Sequence, residues 1–443
     1  MRKFYKGVFL VLHGLMLCAA LPLNAANYHV DPASATGAEP GTGAASAPWG
    51  SLKAAFASGL LRGGDTLYLA AGSYGEQNLS GLHFDPPLTL QGPGHDGAQA
   101  HFSWLKLQRV SGFVVNGLAF WPQTSGAHKT LLLADPESKN LRFRNLEFRG
   151  VKAASGYARW SAADWTARKI NGALLRGTDM VMQESRFTGL YMALAATGAR
   201  AQLIDNQITG FSGDGIRVLG DHSVVADNLI RDCVQVDNNH ADGIQSWSLG
   251  KDRRPGKGVV TGLQIQRNVI IEWLEQGPNQ QRPAFGCSLQ GIGFFDGMFQ
   301  DTRVENNVVR VSAYHGITIA GGLNTWIRHN TVLHSREPGN RKRPWIGLSP
   351  HKDGRPSVGG VVVNNYAVRM LHHDSTDQSK IYTAGNYWGS YPARDLVAPY
   401  EDRFAPKSGA AIIDAGDTLY ALPTDLFGRP RLKPDIGAIE ADQ

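Results

Sequence analysis

The sequence predicts an all-β chain wound into one right-handed parallel β-helix, a single-stranded solenoid with a capping helix at its start and an irregular tail. Three observations carry that prediction. Between Asn116 and Asn365 one pattern returns: two or three β-favouring residues, then Asn, then alternating apolar residues. The chain is long, 443 residues, yet holds 52 glycines and only 19% charged residues. No amphipathic helix alternates with the repeat, which excludes a leucine-rich horseshoe.

The repeats read VVNGLAF, RFRNLEF, VMQESRF, LIDNQIT, VADNLIR, IQRNVII, VENNVVR, IRHNTVL and VVNNYAV. Their register residues are Asn116, Asn145, Glu184, Asn206, Asn228, Asn268, Asn307, Asn330 and Asn365, with tightest gaps of 22, 22 and 23 residues. Each unit is too small to bury its own apolar face, so it must stack on its neighbours. An Asn at the bend tolerates unusual backbone angles, and its amide can bond to the next coil, forming a ladder that Glu184 alone interrupts. Leu229 and Val308 represent the alternating apolar residues expected to fill the interior. A β-sandwich would not keep an Asn in register through so many turns.

The ends are read in the same way. Residues 1–26 resemble a secretory signal: Arg2, Lys3 and Lys6 form a basic start, Val8 to Leu21 an apolar centre, and Leu23 to Ala26 a small-residue exit. That run is short for a membrane span, and no other stretch approaches one. The expected product is secreted or periplasmic, monomeric, and without a membrane span once the signal is cleaved. Residues 27–80 would hold the N-terminal cap, with helical periodicity from Trp49 to Leu61 and Ser51 as N-cap. The solenoid would occupy 81–390, and 391–443 would lie along its flank.

Two cysteines remain after export, Cys233 and Cys287; they can form one bridge or stay as buried thiols. No Cys/His cluster has zinc spacing. A net charge of +6 fits attraction to an acidic polymer. Nucleic acid is excluded as a partner by the lack of a basic helix or an aromatic-interleaved basic sheet.

The opening YHVDPAS and GGDTLYLAAGSYGE, the Asn ladder and the closing LFGRPRLKPDIGAIE resemble secreted bacterial β-helix proteins of the pectate-lyase-like superfamily. The resemblance covers nearly the whole mature chain. It implies a polysaccharide lyase, a uronan epimerase, a polygalacturonase-like hydrolase or a non-catalytic binding relative.

A second column lies about fourteen residues upstream of the Asn register: SGDGIRV, HADGIQSW, SLQGIGFF and AYHGITI. It places Asp214, Asp242, Gln290 and His315 on successive rungs about 4.8 Å apart. Two positions beyond the Gly stand Arg217, Gln245, Gly293 and Thr318, with Ile216, Ile244, Ile292 and Ile317 pointing inward between. Trp247 and Phe295 would share the outer face. Carboxylates, amides, His and Arg beside aromatic rings suit a sugar groove, since rings stack on sugar faces and polar groups read hydroxyls and carboxylates.

Two chemistries fit the column. His240-Ala241-Asp242-Gly243 and His315-Gly316 resemble motifs of polygalacturonase-like hydrolases. Those enzymes carry paired aspartates where Leu289-Gln290 stands here, so a hydrolase would need Asp214 as its second carboxylate. A lyase needs the uronate carboxylate neutralised by Arg217, Gln245 or Gln290. It also needs His315 or His240 to remove the C5 proton, and Tyr314 to protonate the leaving oxygen. Asp214 and Asp242 could alternatively hold a calcium ion. The expectation is an enzyme acting on an acidic polysaccharide, β-elimination first.

Two basic inserts would draw in such a polyanion: Lys251, Arg253, Arg254 and Lys257 after the Asp242 rung, and Arg341, Lys342 and Arg343 before Trp345. The insert 151–171, with Trp160, Trp165, Arg168 and Lys169, would form a wall over the groove's N-terminal side.

Overall fold

In a computed structural model, the described residues are 25–442 apart from 37–40, 96, 125, 253, 274–282, 284, 336–342, 373–380 and 390. The leader expected at 1–26 therefore lies almost wholly outside them, as do Arg253, Arg341 and Lys342.

The chain coils as a parallel β-helix. One wall is a 15-stranded sheet running from Asn27–Val30 to Tyr382–Ala384, and a 21-stranded sheet makes the other walls from two interleaved ladders. Nearly every strand pairs in parallel with the strand one coil away; Leu396–Ala398 and Arg403–Pro406 pair antiparallel. The interior is apolar along its length. Phe120, Phe148 and Phe187 come from three coils and stack at 4.8 and 4.6 Å, with no exposed surface. Each short strand thus buries its inward side chains only because the next coil supplies the facing layer.

The first coil is covered by helix α1 (Leu52–Ala57), whose N-cap Ser51 accepts from Ala54 N at 3.1 Å. It is shorter than the 49–61 periodicity suggested. Leu52 and Ala55 are buried in the core, and the Phe56 ring lies 6.2 Å from Phe113.

The Asn ladder runs from Asn206 through Asn228, Asn268, Asn307, Asn330 and Asn365 to Asn386. At every step the next Asn's Oδ1 accepts both the backbone N–H and the side-chain amide of the Asn before it. Each amide also donates to a backbone carbonyl, as Asn268 does to Val225 at 2.9 Å.

The structure corrects the register at the N-terminal end. Asn145 and Glu184 belong to the position just before the ladder, with Asp205, Asp227, Arg267, Asn306, His329 and Asn364. All eight have φ between 51° and 60°. The left-handed bend and the amide ladder are therefore neighbouring positions rather than one. At the coil of Glu184 the ladder residue is Ser185: its N–H donates to Asn206 Oδ1, and its hydroxyl accepts from Leu146 N. Asn116 lies two positions early, in register with Arg144, and donates to Gln91 instead.

Removing one rung amide orphans buried donors and an acceptor. We expect Asn268→Ala or Asn307→Ala to cost on the order of 1–3 kcal/mol per orphaned group. Asn78→Ala, at an exposed position, should cost far less. Thermal unfolding of the three variants checks this, and equal melting temperatures would remove the ladder from the energetics.

The tail packs along the flank of the late coils. Arg431 bonds Asn306 Oδ1 and the carbonyl of Gly437; Ala438 N donates to Thr331; Arg328 donates to Tyr420 O. Ile412, Leu426, Ile436 and Ile439 form a buried cluster with Val308, Leu333 and Tyr366.

Candidate functional site

Five strands carry the column: β1 (Ile216–Val218), β2 (Asp242–Trp247), β3 (Gln290–Asp296), β4 (His315–Ala320) and β5 (Trp345–Ser349). Ile216, Ile244, Ile292 and Ile317 are register partners, as are Arg217, Gln245, Gly293 and Thr318, and Asp242 pairs with Gln290. His315 pairs with Trp345 across a register shift, so the column gains a fifth member.

The repeated Gly of this column has a packing cause. A Cβ on Gly215, Gly243, Gly291 or Gly316 would lie 2.7, 2.6, 2.3 or 2.3 Å from Ile230, Ile270, Val309 or Val332 on the facing wall. Only Gly lets the backbone approach so closely there. The Asp-Gly and His-Gly pairs are therefore half structural, and the chemistry belongs to the residue before the Gly.

Asp214, Arg217, Asp242, Gln245 and Trp247 form one cluster. The Arg217 Nε donates to Asp214 Oδ2, and its guanidinium lies 5.2 Å from the Trp247 ring. Asp214 Oδ1 accepts the backbone N–H of Asp242 at 3.0 Å, so both of its oxygens are engaged. Asp242 has no exposed surface; its Oδ2 accepts from Gln245 at 2.9 Å, while buried Oδ1 has no partner. Gln290 Oε1, on the adjacent rung, is likewise buried without a partner. Burial foremost, then the Asp214 charge, holds the Asp242 carboxyl well above its ordinary range against the opposing pull of Arg217. Asp214 is raised by burial too, with Arg217 pulling it back.

His315, Thr318, Phe295, Tyr314 and Trp345 form the second cluster. His315 Nδ1 lies 3.0 Å from Thr318 Oγ1, which also accepts Trp345 Nε1–H at 2.9 Å. Phe295 and Trp345 meet the imidazole edge-on at 4.6 and 5.1 Å. Exposed Tyr314 stacks on Trp345 at 5.3 Å. Burial, then nearby His240, lowers the His315 pKa from 6.5, favouring the neutral imidazole. His240 itself is exposed. Gly293 lets the clusters meet: a Cβ there would strike both the Phe295 ring and Asp242 Oδ1, at 2.5 and 2.6 Å. A register shift after Ser246 pairs Trp247 with Asp296, so Trp247 and Phe295 are not the matched pair that simple counting gives.

The other expectations fare differently. Lys251, Arg254 and Lys257 are exposed in the loop after β2, and Arg254 pairs with Asp252 at 3.4 Å. They lie at the strand's C-terminal edge, about 16 Å of extended chain from Asp242. The aromatic wall of insert 151–171 is corrected: Trp160 and Trp165 are 9% and 1% exposed, and pack with Tyr157, Val234 and Trp273 as a small core. A chain segment leaving the helix must bury apolar surface of its own, and these rings provide it. Lys169 bonds Asp237 at 2.5 Å and lies 4.9 Å from the Tyr191 ring. Cys233 and Cys287 are bridged, with Cα atoms 5.7 Å apart.

Calcium does not fit the two aspartates. Asp214 is engaged by Arg217 and the Asp242 N–H, and Asp242 Oδ2 by Gln245, so the pair offers one unengaged carboxylate oxygen where calcium takes about six to eight oxygen donors. Among the described residues no group of three His, Cys, Asp or Glu could hold a metal ion. Thr318 had no assigned role in the sequence reading, and Trp345 no place in the column. The His-Gly spacing fails at Trp345, which precedes Ile346 directly.

No family model matches the chain, and no curated protein does. Solved structures similar to it include a pectate lyase, 17% identical over 94% of this chain and 96% of that one, with a TM-score of 0.41. A rhamnogalacturonan lyase is 12% identical over 87% and 96%, with a TM-score of 0.42. The A-module of an Azotobacter vinelandii mannuronan C-5 epimerase is 14% identical over 76% and 93%, with a TM-score of 0.43.

Proposed function

We propose that the chain is an exported enzyme that cleaves an acidic, uronate-bearing polysaccharide by β-elimination. One observation carries the reading: a carboxyl biased to stay protonated and an imidazole biased to stay neutral lie two rungs apart on one aromatic-lined face. Groups whose environments push their pKa values in opposite senses are what paired acid and base chemistry requires.

The roles follow from the contacts. In the His315 tautomer whose Nδ1–H donates to Thr318 Oγ1, Nε2 is the nitrogen that takes the proton from C5. Neutral Asp242 and the Gln290 amide stand two rungs and one rung from His315 along the column. They would donate to the uronate carboxylate, lowering the cost of negative charge as the proton leaves. Tyr314, exposed beside His315, is the acid for the leaving oxygen. Arg217 is anchored through Nε and stacked on Trp247, which orients its Nη edge for a carboxylate. It stands three rungs from His315, about 14 Å along the axis, so it serves a neighbouring sugar of a chain lying along the helix.

Hydrolysis is disfavoured by Asp214. A nucleophile or general base needs an available oxygen, and both of Asp214's are engaged, on Arg217 Nε and on the backbone N–H of Asp242. The disulfide suits an exported protein.

Incubation with a panel of acidic and neutral polysaccharides tests the reading. Unsaturated uronate ends, seen by ultraviolet absorbance, are expected from acidic substrates alone; new reducing ends without unsaturation would make it a hydrolase. The basic loop gives a second expected result. Changing Lys251, Arg254 and Lys257 together to Ser should weaken polyanion binding and flatten its salt dependence, leaving the melting temperature nearly unchanged. Unaltered binding at low salt would show those charges to be merely solvated.

A further inference from the structure

We infer that Glu272 is a positioning residue for the column, holding the strand entries of Gln290 and His315 at a fixed height relative to each other; the inference rests on the function proposed above. Glu272 follows the strand Val269–Ile271 and has no exposed surface. Its Oε2 accepts three hydrogen bonds, from Leu289 N at 3.1 Å, Ser312 N at 2.7 Å and Ser312 Oγ at 2.5 Å. Leu289 immediately precedes Gln290, and Ser312 comes three residues before His315. One oxygen thus ties two successive turns together, just before the chain enters β3 and β4.

The surroundings fix the carboxylate in turn. Glu272 N donates to Arg310 O at 2.9 Å, and its carbonyl accepts from Cys233 N at 2.8 Å. Cys233 is bridged to Cys287 in the turn that leads to Leu289. Gln235 joins the same knot: its Oε1 accepts from Ser288 N, and its Nε2 donates to Asn239 O, three residues before Asp242. Strand pairing alone sets coil spacing but leaves each turn free to tilt. A buried carboxylate shared by two turns removes that freedom, because charge-assisted bonds are short and directional. Catalytic groups that must meet one sugar from separate coils need such support, since misplacement by about 1 Å can cost about 10²-fold in rate.

The test contrasts reach with charge. Glu272→Asp keeps the charge but is one methylene too short to serve both turns; Glu272→Gln keeps the reach and an acceptor oxygen. We expect kcat to fall roughly 10- to 100-fold in Glu272→Asp with KM little changed, and Glu272→Gln to restore most of it. The His315 ring resonances, followed by NMR without substrate, should move in Glu272→Asp and stay near the parent's in Glu272→Gln. Should Glu272→Asp fail to fold, Ser312→Ala removes only the hydroxyl donor and should move the same resonances in the same direction. Unmoved His315 resonances in these variants, or Gln performing worse than Asp, would overturn the proposal. If the parent cleaves no polysaccharide, the proposed function fails by itself, and the resonances still decide whether Glu272 positions His315.

Discussion

Asp242→Asn should leave the fold intact and lower turnover on a confirmed substrate by roughly 10²–10⁴, the contribution of one acid or base group. The amide keeps the volume, and its oxygen can still accept from Gln245 Nε2. What it loses is the acidic O–H donor to the uronate carboxylate, which an amide N–H replaces only weakly where charge develops. Stability separates this from simple damage. The native state holds the Asp242 proton more tightly than the unfolded chain does, because burial and Asp214 disfavour the anion. The parent therefore loses stability as pH rises from the ordinary carboxylate range through the raised folded value. The Asn variant has no proton to lose, so its melting temperature should match the parent's in acid and equal or exceed it near neutrality. A variant that is fully active, or less stable at neutral than at acid pH relative to the parent, would remove Asp242 from the chemistry.

The sequence shows the fold because the solenoid repeats its physics. An amide ladder requires the same residue type every coil, and an interior of short strands requires alternating apolar residues, so both leave a pattern. The phase of the apolar pattern was off by one, since Ile230 and Val309 fill the interior while Leu229 is half-buried and Val308 packs with the tail. The ladder was misread where composition and geometry part. Asn145 is an Asn at the left-handed bend, whereas Ser185 does the ladder's work without being Asn. Counting residue types cannot separate two adjacent positions that both favour short polar side chains.

The column was legible for a related reason. Parallel coils in register convert sequence spacing into spatial stacking, so Asp242 pairs with Gln290, and the residues following Asp214 and His315 fall in the same register. Three things were not legible. The register shift after Ser246 moves Trp247 opposite Asp296, and a bulge leaves no mark in composition. The insert 151–171 looked like an aromatic wall, but its Trp rings turn inward and pack with Tyr157, Val234 and Trp273. Glu272 sits in a run, IIEWLE, that resembles any strand followed by a turn. Its role depends on two turns distant in sequence, and no local pattern records them.

His315→Ala is expected to be as damaging as Asp242→Asn, and it separates elimination from hydrolysis. If His315 removes the C5 proton, its loss costs roughly 10²–10⁴ in kcat; if Asp214 and Asp242 ran a hydrolysis, it would act through substrate orientation and cost far less. Alanine also removes the edge contacts to Phe295 and Trp345, so packing could mimic a catalytic loss. His315→Asn controls for that, since its side chain can still meet Thr318 but offers no base. Both variants should be similarly inactive, with the Asn variant nearer the parent in melting temperature. The pH dependence supplies the sign. Only neutral imidazole accepts a proton, and burial with His240 lowers the His315 pKa from 6.5. The parent's kcat/KM should therefore persist into mild acid and fall only as pH drops through that lowered value. This acid limb should vanish from the residual activity of both variants. A residual profile that keeps the limb would assign it to another group, with exposed His240 the first to replace next.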